Sequence, residues 1–200
     1  GRYRATTVAI EPDASSASYP LAVAAVAGGS IEVPGLGERA LQGDARFADL
    51  LAAMGCTVVR TAESVRVTRS LDQPLRGIEV DMADVSDLVP TVAAVALFAE
   101  SPTVISGVGF IRDKESDRLG DLAAELHTIG ADIDVTDDGL VVRPSADRLY
   151  GSRLGTHHDH RLAMAFGVIG TVVDGIEIED PSVVSKSWPG FWTMLNGLRG

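Results

Sequence analysis

Lysine, cysteine and long apolar runs are nearly absent from this 200-residue chain, which has two lysines and one cysteine. A single cysteine excludes an internal disulfide and is compatible with a reducing, cytoplasmic compartment. Because Cys56 follows Gly55 at an apparent strand start, we expect it to pack in the core. No apolar stretch approaches the length of a membrane-spanning helix, so we expect no membrane partner.

Basic charge is also scarce, since the chain has 17 Lys and Arg residues but 28 Asp and Glu residues, which gives a net charge of −11. Nucleic acids select broad basic faces, so we expect no nucleic-acid partner, and an anionic ligand would need a local basic pocket. With 46% hydrophobic residues, residues 1–200 are expected to form a single globular domain. The opening Gly-Arg-Tyr-Arg has no methionine and no signal sequence, which indicates a segment of a longer protein.

The two lysines lie inside dense polar runs, Lys114 in 113–118 and Lys186 in 185–189. Arginine supplies the other positive charge, but only lysine has a pKa that a site can readily tune. Two interpretations remain. The lysines were retained by chance on a solvated face, or each belongs to a site that needs an ammonium group.

An internal repeat of about 72 residues organises the chain. Each copy opens with an aspartate at an expected helix N-cap, followed by an Ala-rich helical run of the kind found in buried helices. The aspartates are Asp13, Asp87 and Asp159, and the runs are 16–27, 88–99 and 160–171. A short β-rich segment follows each run. A second, amphipathic helix then begins at Phe47, Leu119 and Phe191, which are 72 residues apart.

Two strands close each of the first two copies as a hairpin, at 57–67 and at 133–142. The unit is therefore β-α-β-α-β-β, with repeats at about 5–75, 76–147 and 148–200. Because the third copy stops after its second helix, we expect it to borrow strands from another part of the parent chain. The predicted fold class is α/β with pseudo-threefold symmetry, helices inside and sheets outside.

Charged residues gather at the expected helix starts, namely Lys114, Glu115, Arg118, His160, Arg161 and Lys186. Cations at a helix N-terminus oppose the helix dipole, whereas a bound anion is favoured there. One interpretation is a set of caps and surface ion pairs, such as Glu115 with Arg118 three residues later. The other is an anion-binding surface where several helix starts meet.

Three histidines, His157, His158 and His160, raise the possibility of a metal site. Their spacing gives no helical i,i+4 pair and no cysteine is near, so a polar loop with one functional imidazole is the preferred interpretation. Neither a phosphate-binding glycine loop nor a serine nucleophile elbow is present.

Five motifs together resemble the 5-enolpyruvylshikimate-3-phosphate synthase family over essentially the whole chain. They are Glu-Pro-Asp-Ala-Ser-Ser-Ala-Ser-Tyr at 11–19, Gln-Gly-Asp at 42–44, Lys-Glu-Ser-Asp-Arg at 114–118, Asp-His-Arg-Leu-Ala-Met at 159–164 and Ser-Lys-Ser-Trp-Pro at 185–189. The resemblance implies the carboxy-terminal half of a two-domain enzyme of the shikimate pathway, which leads to chorismate and the aromatic amino acids. It implies transfer of the enolpyruvyl group of phosphoenolpyruvate to the 5-hydroxyl of shikimate 3-phosphate, with release of phosphate and without metal or organic cofactor.

The resemblance also implies roles for residues on the acceptor side of the reaction. Asp87 corresponds to the group that handles the 5-hydroxyl proton and holds the shikimate ring. Glu115 corresponds to the group that exchanges protons with the methylene carbon, and Lys114 to a contact with the shikimate phosphate. Family members often carry an asparagine four positions before that lysine, where this chain has Phe110.

On the phosphoenolpyruvate side, Arg118 and Arg161 correspond to a carboxylate clamp, for which the planar guanidinium fork is suited. Lys186 resembles the lysine that contacts phosphoenolpyruvate and shuttles protons, and His160 supports the same pocket. Because the family takes other site residues from the amino-terminal domain, we expect the isolated chain to be inactive until the two domains close over substrate.

Three alternatives compete with this hypothesis. A binding module of the same fold would use the anion pocket without catalysis, but would gain nothing from Glu115 among its cations. A purely structural repeat domain would bind no phosphate at its helix starts. A sugar-nucleotide enolpyruvyl transferase would need a nucleophilic cysteine loop, which this chain lacks.

Overall fold

The computed structural model describes residues 4–8 and 10–198, where the chain alternates between helices and short strands. The α-helices are α1 (Ala14–Ala27), α2 (Phe47–Ala53), α3 (Val89–Ala96), α4 (Arg118–Thr128), α5 (His160–Ile169) and α6 (Phe191–Leu198). The strands are β1 (Gly29–Pro34), β2 (Thr57–Arg60), β3 (Ser64–Arg69), β4 (Glu79–Asp81), β5 (Thr103–Ser106), β6 (Asp132–Val135), β7 (Leu140–Arg143), β8 (Arg153–Leu154) and β9 (Glu177–Ile178). Within the described ranges, no helix combines the length and the apolar character that crossing a bilayer requires.

The strands form one sheet in each repeat, in the orders β1-β3-β2, β4-β5-β7-β6 and β8-β9. The predicted hairpins β2-β3 and β6-β7 are confirmed as antiparallel pairs. The opening strands β4 and β8 instead pair in parallel with β5 and β9, because a helix separates the two strands of each pair. The second repeat therefore has the complete β-α-β-α-β-β unit.

Helices lie inside and sheets outside, as predicted. The first helices of the three repeats, α1, α3 and α5, contact one another and are buried along most of their length. The second helices bury one face, which in α4 consists of Leu119, Leu122 and Leu126 beside Ala123. Gly130, with φ 88°, follows the end of α4 in the left-handed conformation expected for it.

The prediction that all three repeat aspartates are N-caps is right for two of them. Asp13 accepts a hydrogen bond from the backbone of Ser15, and Asp159 accepts one from Arg161. Asp87 is not an N-cap, because it lies within the 3₁₀ segment Ala83–Leu88, one residue before the N-cap of α3. Its carboxylate is used by two arginine side chains instead.

The first and third sheets are smaller than the second. In the second repeat, β4 pairs with the outer edge of β5. The equivalent edge of β1 in the first repeat has no partner strand within the described ranges, because residues 4–8 and 10–13 form no strand. The third sheet has two strands there, as expected for a copy that stops after its second helix. Unpaired strand edges expose backbone N–H and C=O groups that a further strand can bind.

Candidate active site

Several helix starts from the second and third repeats meet at one end of the fold and enclose a cleft of about 300 Å³. Arg118 opens α4, His160 and Arg161 open α5, and Lys186 ends the 3₁₀ segment Pro181–Lys186 that precedes α6. The cleft is lined by Asp87, Asp113, Lys114, Glu115, Arg118, His160 and Arg161. The structure thus brings the charged residues predicted from the sequence into one site.

Asp87, Arg118, Asp159 and Arg161 form a chain of ion pairs at the base of the cleft. Arg118 donates from Nη1 to Asp87 Oδ1 at 2.9 Å and from Nε to Asp159 Oδ2 at 2.8 Å. Arg161 donates from Nη2 to the other oxygen of Asp87 at 2.8 Å. Both Arg118 and Asp159 are buried, at 2% and 0% exposure. Each buried charge therefore has a direct counter-charge, without which its desolvation would be strongly destabilising.

These contacts change one expectation from the sequence. A bound anion was one interpretation of the cations at the helix starts, but Arg118 is already neutralised within the chain by Asp87 and Asp159. The predicted alternative of a Glu115 pair with Arg118 is also wrong. Glu115 pairs with Lys186 and His160 instead, because α4 begins at Arg118 and leaves Glu115 in the turn before the helix.

Glu115, His160 and Lys186 form a second hydrogen-bonded group at the rim. Lys186 Nζ lies 2.6 Å and His160 Nδ1 lies 3.0 Å from the same oxygen, Glu115 Oε2. Partial burial raises the pKa of Glu115, but the hydrogen bonds and charges of Lys186 and His160 outweigh it and hold the pKa below its usual value. Burial lowers the pKa of His160 more than Glu115 raises it, so the pKa of the imidazole lies below its usual value.

Glu115, Asp159 and His160 also offer ligand atoms within 4.8 Å of one another, which is a spacing suited to a metal ion. Their atoms are already bound. Lys186 donates to Glu115, while Asp159 accepts from Arg118 through one oxygen and from the Arg161 backbone through the other. The ammonium of Lys186 and the guanidinium of Arg118 contact the cluster directly and oppose the binding of a divalent cation.

Two aromatic side chains border the site. Tyr19 is 1% exposed, and its hydroxyl has no hydrogen-bond partner among the described residues. Burial raises the pKa of Tyr19 to about 12, against the opposing effect of the Arg161 charge. Phe110 is half exposed, and its ring centroid lies 5.9 Å from Lys114 Nζ, which is within the range of a cation–π contact.

The motifs at 11–19 and 42–44 form a separate network at the start of α1. Glu11 accepts hydrogen bonds from the backbone of Leu41 and from the backbone and side chain of Gln42. Gln42 Oε1 in turn accepts from the N–H of Ala14, the first residue of α1. The Leu41 N–H makes the largest contribution to holding the pKa of Glu11 below its usual value. This network joins the start of α1 to residues 41–42 within the first repeat.

Sequence reasoning missed several partners at this end. Asp113 lines the cleft, and the Asp87 carboxylate bridges the two clamp arginines. His157 was expected in a polar loop or a metal site, and its partner was not predicted; its Nε2 lies 2.8 Å from Glu125 Oε1. No periodic pattern links these residues, because each pair joins segments tens of residues apart.

The chain was compared with known proteins. A family model described as EPSP synthase (3-phosphoshikimate 1-carboxyvinyltransferase) matches residues 1–195. A 3-phosphoshikimate 1-carboxyvinyltransferase of Methanoculleus marisnigri is 49% identical over 195 residues, which cover 98% of this chain and 45% of the relative. A protein of the same description from Methanospirillum hungatei is 43% identical, again over 98% of this chain and 45% of its own length.

Among solved structures, an EPSP synthase of Acinetobacter baumannii superposes with a TM-score of 0.82 at 28% identity, covering 96% of this chain and 46% of that one. The fold and the cleft of charged residues thus define a domain of the enolpyruvyl transferase class. The chain belongs to the EPSP synthase family. It spans about half the length of the curated relatives it matches.

Proposed function

We propose that this chain carries half of the active site of an enzyme that transfers the enolpyruvyl group of phosphoenolpyruvate to the 5-hydroxyl of shikimate 3-phosphate. The acceptor oxygen forms a bond to C2 of phosphoenolpyruvate while the methylene carbon gains a proton. The tetrahedral intermediate then loses that proton and inorganic phosphate, which restores the double bond. Such a reaction needs a base near the acceptor hydroxyl and an acid near the methylene carbon. It also needs cations around the carboxylate and the phosphate groups of the substrates.

The observation that carries this proposal is the carboxylate of Glu115, which is held between two proton donors in a cleft that also contains Lys114, Arg118 and Arg161. A simple anion receptor would lose affinity from that carboxylate, because it repels the ligand. A proton-transfer site gains from it, because Lys186 at 2.6 Å and His160 at 3.0 Å supply and orient protons. We assign to Glu115 the proton exchange at the methylene carbon and to Lys186 the proton reservoir beside it.

We assign the remaining roles as the family resemblance implies, and the contacts in the cleft support them. Arg118 and Arg161 each donate to a different oxygen of the Asp87 carboxylate, so the pair of guanidinium groups suits a substrate carboxylate. We assign to Asp87 the acceptance of the 5-hydroxyl proton once substrate binds the two arginines. We assign to Lys114 the contact with the shikimate phosphate, which its 39% exposure supports, and Phe110 lies beside it.

We further propose that residues 1–200 are one domain, with repeats at about 5–75, 76–147 and 148–200, and that the partner is the missing amino-terminal domain of the same enzyme. The coverage of the relatives and the two incomplete sheets support this proposal. The substrates are small anions, and the reaction belongs to aromatic amino acid biosynthesis. A cytoplasmic location fits the one cysteine, Cys56, which is buried and free.

The test is turnover by the chain joined to the remaining part of its parent. Phosphate release from phosphoenolpyruvate should require shikimate 3-phosphate, and Glu115→Gln should lower kcat by about 10²- to 10⁴-fold. Glu63→Gln is the matched control, because Glu63 is exposed and far along the chain from the site. Unchanged kcat in Glu115→Gln would overturn the assignment. Substrate binding without turnover in the unmodified protein would favour the binding-module alternative.

A further inference from the structure

The turn that leads into α5, residues 155–158, has an unusual backbone. His157 and His158 have φ of 51° and 59°, and they are the positive-φ residues other than glycine within the described ranges. Two consecutive side-chain-bearing residues in this conformation cost free energy, and they persist only where surrounding contacts determine them. The contacts that hold this turn therefore determine the conformation of the segment just before the site.

Glu125 makes those contacts from the middle of α4. Its Oε2 accepts the N–H of Gly155 at 2.8 Å, and its Oε1 accepts from His157 Nε2 at 2.8 Å. The Glu125 side chain is only 16% exposed, so solvent competes weakly for these hydrogen bonds. One carboxylate thus fixes both the backbone and a side chain of the turn.

The 155–158 turn also contacts the cleft on two sides. The Asp159 N–H donates to Thr156 O at 2.8 Å, which sets the N-cap of α5. The carbonyl of His158 lies 3.4 Å from Lys186 Nζ, the group that donates to Glu115. Helix α4 carries both Arg118 and Glu125. It therefore positions the base of the cleft directly through Arg118, and it positions the α5 residues of the cleft through the contacts of Glu125 with the turn.

We propose that Glu125 is a positioning residue, which holds the 155–158 turn so that α5 presents His160 and Arg161 to the cleft and Lys186 meets Glu115. Its consequence for turnover rests on the proposed function, but its effect on the geometry of α5 does not. Asp121 is a matched comparison. It faces the other nitrogen of His157 at 3.5 Å and has no hydrogen bond to the turn backbone.

The experiment compares Glu125→Ala and Glu125→Gln with Asp121→Ala and Asp121→Asn in the 200-residue chain. Amide hydrogen exchange is measured at Asp159, Arg161 and the buried helix α3, and the ¹⁵N signals of the His160 imidazole are recorded. We expect Glu125→Ala to speed exchange at Asp159 and Arg161 by about tenfold or more relative to α3, since each lost hydrogen bond to a carboxylate has at least that effect. The His160 signals should shift.

Glu125→Gln should give a smaller effect of the same kind, because its amide oxygen can accept from Gly155 or from His157 but not from both in the present geometry. Both Asp121 variants should leave the α5 amides and His160 unchanged. Equal effects of the Glu125 and Asp121 variants would overturn the proposal. So would a Glu125 effect that is uniform over α3 and α5, which would show general loss of stability.

None of these measurements needs substrate. If the exchange pattern holds and the joined enzyme has no turnover, the positioning role stands while the proposed function fails. If turnover is found and the exchange pattern is absent, the positioning role fails alone.

Discussion

At the scale of single residues, Asp87 occupies the place that an anionic ligand would take. Its two oxygens accept from Arg118 and Arg161 at 2.9 and 2.8 Å, and Lys114 lies 3.9 Å away. In the proposed function, the carboxylate of the substrate displaces Asp87 from the arginines. The Asp87 carboxylate then becomes free to act as a base, so the proposal couples ligand binding to the activation of Asp87.

We expect Asp87→Asn to bind anions more tightly than the unmodified chain, by about tenfold, because the neutral amide competes less well for two guanidinium groups. Calorimetric titration with phosphoenolpyruvate and with inorganic phosphate at constant ionic strength measures this. The control is Asp113→Asn, which removes one negative charge from the same cleft without breaking a described ion pair. If both variants bind equally, Asp87 contributes only general repulsion.

His160 gives a pH prediction at the same scale. Burial lowers its pKa in the folded chain, so the unfolded chain binds the proton more readily. Stability should therefore fall as the pH decreases through the unfolded value of about 6.5 towards the folded value. The lowered pKa of Glu115 acts in the same direction, but at more acidic pH.

The free energy of unfolding in urea, measured between about pH 7.5 and about pH 5.5, should fall more in the unmodified chain than in His160→Gln. Equal pH dependence in the two proteins would show that His160 titrates alike in both states.

At the scale of helices and strands, the aspartates at equivalent positions of the repeats have different structural roles. Asp13 caps α1 at an exposed site, whereas Asp159 caps α5 and also pairs with the buried Arg118. We expect Asp13→Ala to cost about 1 kcal/mol, the usual value of an N-cap. Asp159→Ala should cost about 3–5 kcal/mol, because it removes the fully buried partner of the buried Arg118 guanidinium, which keeps only Asp87, and also removes the cap of α5. Urea unfolding of both variants measures the difference, and equal costs would contradict it.

The helices could be predicted because their signals are local and repeated. The helix starts predicted from the 72-residue spacing are confirmed at Phe47 and Phe191, and the one predicted at Leu119 lies one residue earlier, at Arg118. Gly130 was predicted from its place after an amphipathic run. The strand ladders are less local. The expected first strand, before α1, is not found within the described ranges. A strand forms there only if a neighbouring strand pairs with it, and the residues near Ile10 do not show whether such a neighbour is present.

At the scale of the whole molecule, the sequence predicted which residues would share the site but not how they would pair. Repeat symmetry placed Lys114, Arg118, Arg161 and Lys186 at one end, because helix starts of equivalent units converge. The pairing of Asp87 with both arginines depends on how far side chains extend from one repeat to another. The spacing of residues along the sequence does not predict such contacts. The same holds for Glu125 and the turn before α5.

The whole-molecule account holds that this chain is half of an active site, completed by the missing domain. The most direct test mixes the chain with a separately produced amino-terminal half and measures phosphate release from phosphoenolpyruvate and shikimate 3-phosphate. The account predicts no turnover from either half alone and turnover from the equimolar mixture, which Arg161→Ala in this chain should reduce strongly. Full turnover by the 200-residue chain alone would contradict it.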